Sequence, residues 1–189
     1  MDPLLFLTGN SHKFEEISAF LTANTDYQVI QKNLPLQELQ AETLEEIAQF
    51  KLQSAQLPST DKFFIEDAGF FVDDVCSGFP GPYSSYVMKT IGYDGILKIM
   101  ANKEERKAHF EACIGYSDEK GQLHFFHGVV RGRVALTARG TSGFGFDPIF
   151  IPDEFPEKTF AELTMAEKNQ ISHRSRALAK FLKFLIQKS

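Results

Sequence analysis

Two lysines and three carboxylates are placed where polyphosphate chemistry could use them. Lys13 follows the turn Thr8-Gly9-Asn10-Ser11, which lies between an apolar run and a helical pattern. A helix N-terminus entered from such a turn offers unpaired backbone N–H groups and the positive end of the dipole, which favour an anion. Gly9 allows close approach of the backbone and Lys13 adds a full charge. The turn lacks the GxxxxGK[ST] spacing of a P-loop, so an ordinary capped turn competes with this reading. Lys51 interrupts an apolar helical stripe, either to reach an anion or to cover apolar surface with its stem. Glu42, Glu66 and Asp67 could hold a hard cation such as magnesium, which takes a few carboxylate oxygens together with waters and phosphate oxygens. The alternative is that Glu42 precedes or caps its helix and Glu66-Asp67 is a solvated turn. If the sharper reading holds, these lysines and carboxylates serve one triphosphate.

A second group could recognise a flat ring. Gly143-Phe144-Gly145-Phe146-Asp147-Pro148 sets two stacking faces among glycines and ends in an acceptor for a base N–H; a glycine turn burying two phenylalanines fits as well. Ser172-His173-Arg174-Ser175-Arg176 puts basic residues in the first turn of the last helix, against the dipole, at about 0.3 to 1 kcal/mol per exposed charge. Either a ligand with acceptors or a salt bridge to Glu162 or Glu167 would account for that placement.

The elements that must position these residues follow from periodicity. Leu4 to Leu7 reads as a strand, followed by a helix striped by Phe14, Ile17, Phe20 and Leu21. A second helix from about Leu44 to Leu57 has Leu44, Ile47, Ala48, Leu52 and Ala55 on one side. Phe63-Phe64-Ile65 is a short strand ending in Glu66-Asp67, and Gly78 to Pro82 forms an irregular loop. Lys107 to Tyr116 and Leu123 to Val130, joined at Asp118 to Gly121, predict an antiparallel hairpin. A last helix, capped by Ser172, buries Ala177, Leu178, Phe181, Leu182 and Leu185. The fold class is α/β with a mixed sheet, and without linkers or repeats the 189 residues form a single domain.

Composition narrows the partners. A formal net charge of −5 argues against a nucleic-acid binder, which needs a basic surface. Cys76 and Cys113 have no metal-ligand spacing, and Leu4 to Leu7 is too short for a signal peptide or a membrane span. A cytoplasmic protein with no membrane partner is expected.

In order and spacing these segments resemble the inosine triphosphate pyrophosphatase family over almost the whole chain. The resemblance is carried by Thr8-Gly9-Asn10 with Lys13, Glu42, Lys51, Glu66-Asp67-Ala68-Gly69, Gly78-Phe79-Pro80-Gly81-Pro82-Tyr83, Phe144 to Pro148, Thr159-Phe160-Ala161-Glu162, Glu167-Lys168-Asn169 and Ser172-His173-Arg174. It implies an elongated mixed sheet with flanking helices, two lobes around a central nucleotide-binding cleft, and a homodimer. It also implies Mg2+-dependent hydrolysis of ITP, dITP and XTP to the monophosphate and pyrophosphate. By the same resemblance Thr8, Gly9, Asn10, Lys13 and Lys51 hold phosphates, Glu42, Glu66 and Asp67 serve the metal, and Asp67 is the base for water, assisted by Lys13 and Lys51. Phe144, Gly145, Phe146 and Asp147 bind the base, while Lys168, His173 and Arg174 close on it, His173 and Arg174 as donors to a 6-keto group. Ala68, Phe146 and Tyr86 depart from the family pattern, and none of the three is a charged catalytic position. A Maf-like pyrophosphatase would lack the Ser172-His173-Arg174 segment, and a nucleotide sensor would bind without turnover.

Overall fold

A computed structural model describes residues 3–34, 39–55, 57 and 62–188. In chain order the elements are β1 (Leu4–Leu7), α1 (Ser11–Asn24), β2 (Val29–Lys32), α2 (Leu44–Ser54), β3 (Phe63–Val72), the one-turn α3 (Asp73–Cys76), β4 (Pro80–Gly81), α4 (Ser84–Thr90), α5 (Gly92–Ile99), β5 (Lys107–Ser117), β6 (Leu123–Val134), β7 (Phe150–Pro152), α6 (Met165–Ile171) and α7 (His173–Lys188). The strands form one mixed sheet in the order β2-β1-β3-β5-β6-β7, with β4 paired to β3. β1 runs parallel to β2 and to β3, whereas β4 and β7 pair antiparallel with β3 and β6. The expected α/β class with a mixed sheet is what the chain adopts.

The chain divides into two compact units. The first comprises residues 1–67, 112–128 and 174–189, and the second comprises 68–111 and 129–173, so the boundaries fall within β3, β5 and β6 and at the start of α7. In the first unit the stripe of α1 buries Ile17 and Leu21, α2 buries Ile47, Ala48 and Leu52, and α7 buries Ala177, Leu178 and Phe181. The Phe6 and Phe64 rings stack at 4.7 Å, and Phe181 leans on Phe64 at 5.3 Å. Burying aromatic rings of this kind accounts for the phenylalanine-rich composition. In the second unit Phe70, Phe110, Phe146, Phe150 and Phe160 form the centre of a separate core.

Two sequence expectations are corrected. α2 ends at Ser54 rather than Leu57, because Ala55 turns to an extended conformation while its N–H still closes on Lys51 O; Pro58 three residues on disfavours helix just before it. β3 does not stop before Glu66-Asp67 but runs through both to Val72, because Glu66 points inward to cations instead of facing water. Ser172 closes α6, its N–H donating to Lys168 O, and stands immediately before α7, the position from which it was expected to cap that helix. The hairpin strands β5 and β6 are joined by a short turn and must therefore run antiparallel, since parallel pairs need a long crossover. They extend to Ser117 and Val134.

Candidate active site

In the first unit the loop between β1 and α1 is held by its own side chains. Asn10 is the N-cap of α1, its Oδ1 accepting from Lys13 N at 3.1 Å, and Thr8 Oγ1 accepts from Asn10 N at 3.1 Å. No acidic residue occupies the first turn of α1, so the positive helix end is not offset locally. A Cβ on Gly9 would meet Asn33 Oδ1 at 3.0 Å, which leaves little room for a side chain there.

Five predicted site residues gather around β3. Lys51 Nζ donates to Asp67 Oδ1 at 2.8 Å. Lys13 Nζ lies 2.8 Å from Glu66 Oε2, an ion pair without hydrogen-bond alignment, and donates to Glu66 O at 3.2 Å. Arg174 donates through Nε to Glu66 Oε1 at 2.9 Å and through a terminal nitrogen to Glu16 Oε2 at 2.6 Å. Glu16, Glu66 and Arg174 are all buried. This arrangement answers the charge of Arg174 at the start of α7: it meets carboxylates far away in sequence, whereas Glu162 and Glu167 pair with Arg139 and Lys158. Glu42 stands exposed ahead of the Thr43 cap of α2, and among the described residues no hydrogen bond or ion pair joins it to this group.

The two neighbouring acids of β3 are tuned in opposite directions. Burial raises the Glu66 carboxyl, but Arg174 and Lys13 outweigh it and hold the group below the usual glutamate range. Burial also raises Asp67; Lys13 and Lys51 oppose without prevailing, Glu66 adds to the rise, and the carboxyl sits above the ordinary aspartate range. Asp67 Oδ2 is buried without a hydrogen-bond partner among the described residues. A basic carboxylate with one uncommitted oxygen beside two ammonium groups can accept a proton from water next to an anion. The same oxygen suits a hard cation. Among the described residues no cluster of three or more His, Cys, Asp or Glu side chains forms a metal cage, yet magnesium needs only one or two carboxylates when substrate phosphates and waters complete its shell. The donor set fits Mg2+ through Asp67, with Glu66 already engaged on both oxygens.

In the second unit the base-binding candidates form their own cluster. Asp147 Oδ2 accepts from Lys168 Nζ at 2.7 Å and from Phe144 N at 2.9 Å. Lys168 Nζ lies 5.5 Å from the centroids of the Phe144 and Phe160 rings, within cation–π reach. The capping box of α6 fixes the helix that carries Lys168: the Thr164 N–H, then Lys158 and the Thr164 hydroxyl, hold the Glu167 carboxyl down at about 2. His173 stacks on Phe110 at 4.9 Å. Phe144 and Gly145 remain half-buried, while Phe146 is buried and stacks on Phe70 at 5.0 Å.

Sequence reasoning missed Glu16. A glutamate among Phe14, Ile17 and Phe20 reads as a residue of the wet face; its spacing of three from Lys13 was the available signal.

A sequence model described as the Ham1 family matches residues 4–184. Curated relatives include proteins named dITP/XTP pyrophosphatase from Thermococcus kodakarensis, 47% identical over 182 residues, and from Pyrococcus horikoshii, 44% identical over 182 residues, each alignment covering 96% of both chains. Among solved structures, the Ham1 protein of Staphylococcus aureus superposes with a TM-score of 0.83 at 28% identity over 100% of both chains. That of Coxiella burnetii gives 0.84 at 28% identity, covering 99% of this chain and 100% of its own. The chain belongs to the Ham1 family.

Proposed function

We propose that the protein hydrolyses non-standard purine nucleoside triphosphates, ITP, dITP and XTP, to the monophosphate and pyrophosphate, removing them from the nucleotide pool. The observation that carries this reading is Asp67: a carboxylate of raised basicity, one oxygen without a hydrogen-bond partner, flanked by Lys51 and Lys13. The names of the curated relatives support the substrate class.

Asp67 Oδ2 accepts a proton from the attacking water, whose oxygen forms a bond to the α-phosphorus as the bond to the bridging oxygen breaks and pyrophosphate leaves. Lys13 and Lys51 offset the charge that builds on phosphoryl oxygens, and the Thr8-Gly9-Asn10 loop offers backbone donors at the start of α1. Asp67, Glu42 and Glu66 are the carboxylates that would hold Mg2+, which would supply Lewis-acid neutralisation of the phosphates. Phe144 offers a stacking face, and Lys168 and His173 offer donors for a 6-keto purine. Adenine would leave such donors unpaired at about 1 to 3 kcal/mol per buried group. Because the family match spans both units, the whole chain is taken as one functional domain. A homodimer in the cytoplasm completes the reading; a net charge of −5 supports a small-molecule substrate over nucleic acid, and no described helix is long and apolar enough to cross a membrane.

A nucleotide panel with product identification tests the proposal. Pyrophosphate release from ITP, dITP and XTP with Mg2+, well above ATP, is the expected result; equal rates on ATP and ITP, or orthophosphate as the product, would overturn it.

A further inference from the structure

Glu16 takes part in no chemistry assigned above, yet it is buried on the helix that carries Lys13 and contacts the Arg174 guanidinium that touches Glu66. A guanidinium facing a lone carboxylate prefers to engage both oxygens through two parallel N–H donors. Here that preference is divided. Arg174 gives Nε to Glu66 Oε1 and a terminal nitrogen to Glu16 Oε2, so Glu66 Oε2 is left for Lys13 Nζ at 2.8 Å. The contacts run from Glu16 on α1 to Arg174 on α7, to Glu66 on β3 and back to Lys13 on α1, a ring closed by the helix itself. Arg174 feels the balance too, since burial would weaken its hold on the proton but Glu66 and Glu16 outweigh that and raise it above the usual arginine value.

We propose that Glu16 is a positioning residue for the hydrolytic site: by holding one edge of Arg174 it confines that side chain to a single oxygen of Glu66 and leaves the other to fix the ammonium of Lys13. Without Glu16 the guanidinium rotates onto both oxygens of Glu66, and Lys13 loses the contact that sets its place beside Asp67. The inference rests on the hydrolytic reading of Lys13 and Asp67.

The test compares wild type, Glu16→Leu, which removes charge and acceptor at similar volume, and Glu16→Gln, which keeps an acceptor. Pyrophosphate release from ITP is measured per folded molecule, well below the thermal midpoint of each variant. Glu16→Leu is expected to lower kcat about 10- to 100-fold, the scale of a misplaced catalytic group, with KM within about threefold, and Glu16→Gln to recover part of the loss. A Glu16→Leu kcat within about twofold of wild type, a loss confined to KM, or equal losses in Leu and Gln would overturn the role. If Glu16→Leu does not fold, Glu16→Gln decides: reduced kcat at unchanged KM supports the role and wild-type kcat ends it. A wild-type protein that releases no pyrophosphate would remove the hydrolytic reading and this role together, whereas normal wild-type turnover with unaffected variants removes only the role of Glu16.

Discussion

Adjacent carboxylates on one strand, displaced in opposite directions by their surroundings, make opposite predictions. As the proposed base, Asp67 must be ionised but sits above its ordinary range, so kcat should fall on acidification with an acid limb higher than a free aspartate would give. A rate profile flat down to the ordinary aspartate range would contradict that. The same rise means the fold favours neutral Asp67, and its charged form subtracts stability as pH climbs through the raised value. Asp67→Asn is therefore expected to abolish turnover while its thermal midpoint, measured with chelator at pH 8, equals or exceeds wild type. Glu66 has the reverse sign. Its folded-state value is lowered, so its contribution is present above the ordinary glutamate range and is lost as pH falls through the lowered value. Glu66→Gln leaves Arg174 and Lys13 facing a neutral amide, and the break of a buried ionic network should cost about 3 to 5 kcal/mol in denaturant unfolding.

At the scale of elements, the segment before β7 depends on Gly143. It has φ of +74°, and a Cβ there would lie 2.1 Å from Asp147 Oδ2, the oxygen that also receives Lys168 and Phe144 N. Gly143→Ala should destabilise the protein by at least about 1 kcal/mol and raise KM for ITP more than it lowers kcat, which steady-state kinetics on the folded variant would show. Periodicity made most elements legible: the stripes of α1, α2 and α7 and the alternation of β5 all point to the residues that are buried. What it could not show was polarity turned inward. Glu16 interrupts an apolar pattern and so reads as a wet position, and Glu66 reads as a metal-holding carboxylate or a solvated turn; the burial of both depends on cations contributed by Lys13 and by Arg174 of α7, which no local window contains. Lys51 was legible because it broke a helical stripe. Phe146 has the aromatic character of a stacking face, and the structure buries it with its ring stacked on Phe70 in the second core.

For the molecule as a whole, removal of divalent cation should eliminate pyrophosphate release while leaving the circular dichroism spectrum intact, since the charged groups around β3 already pair with one another. Persistent turnover in excess chelator would count against magnesium. Sedimentation should return twice the 21.3 kDa chain mass if the homodimer is correct. The ring around Glu66 joins residues 158 positions apart in sequence, Glu16 and Arg174. During synthesis Glu16, Glu66 and Asp67 emerge with only Lys13 and Lys51 to balance them, leaving one unit of excess negative charge until Arg174 is added. A ribosome-bound chain stopped short of α7 should therefore be unable to assemble the hydrolytic centre, and catalytic competence becomes a late event of biosynthesis, licensed by arrival of the final helix.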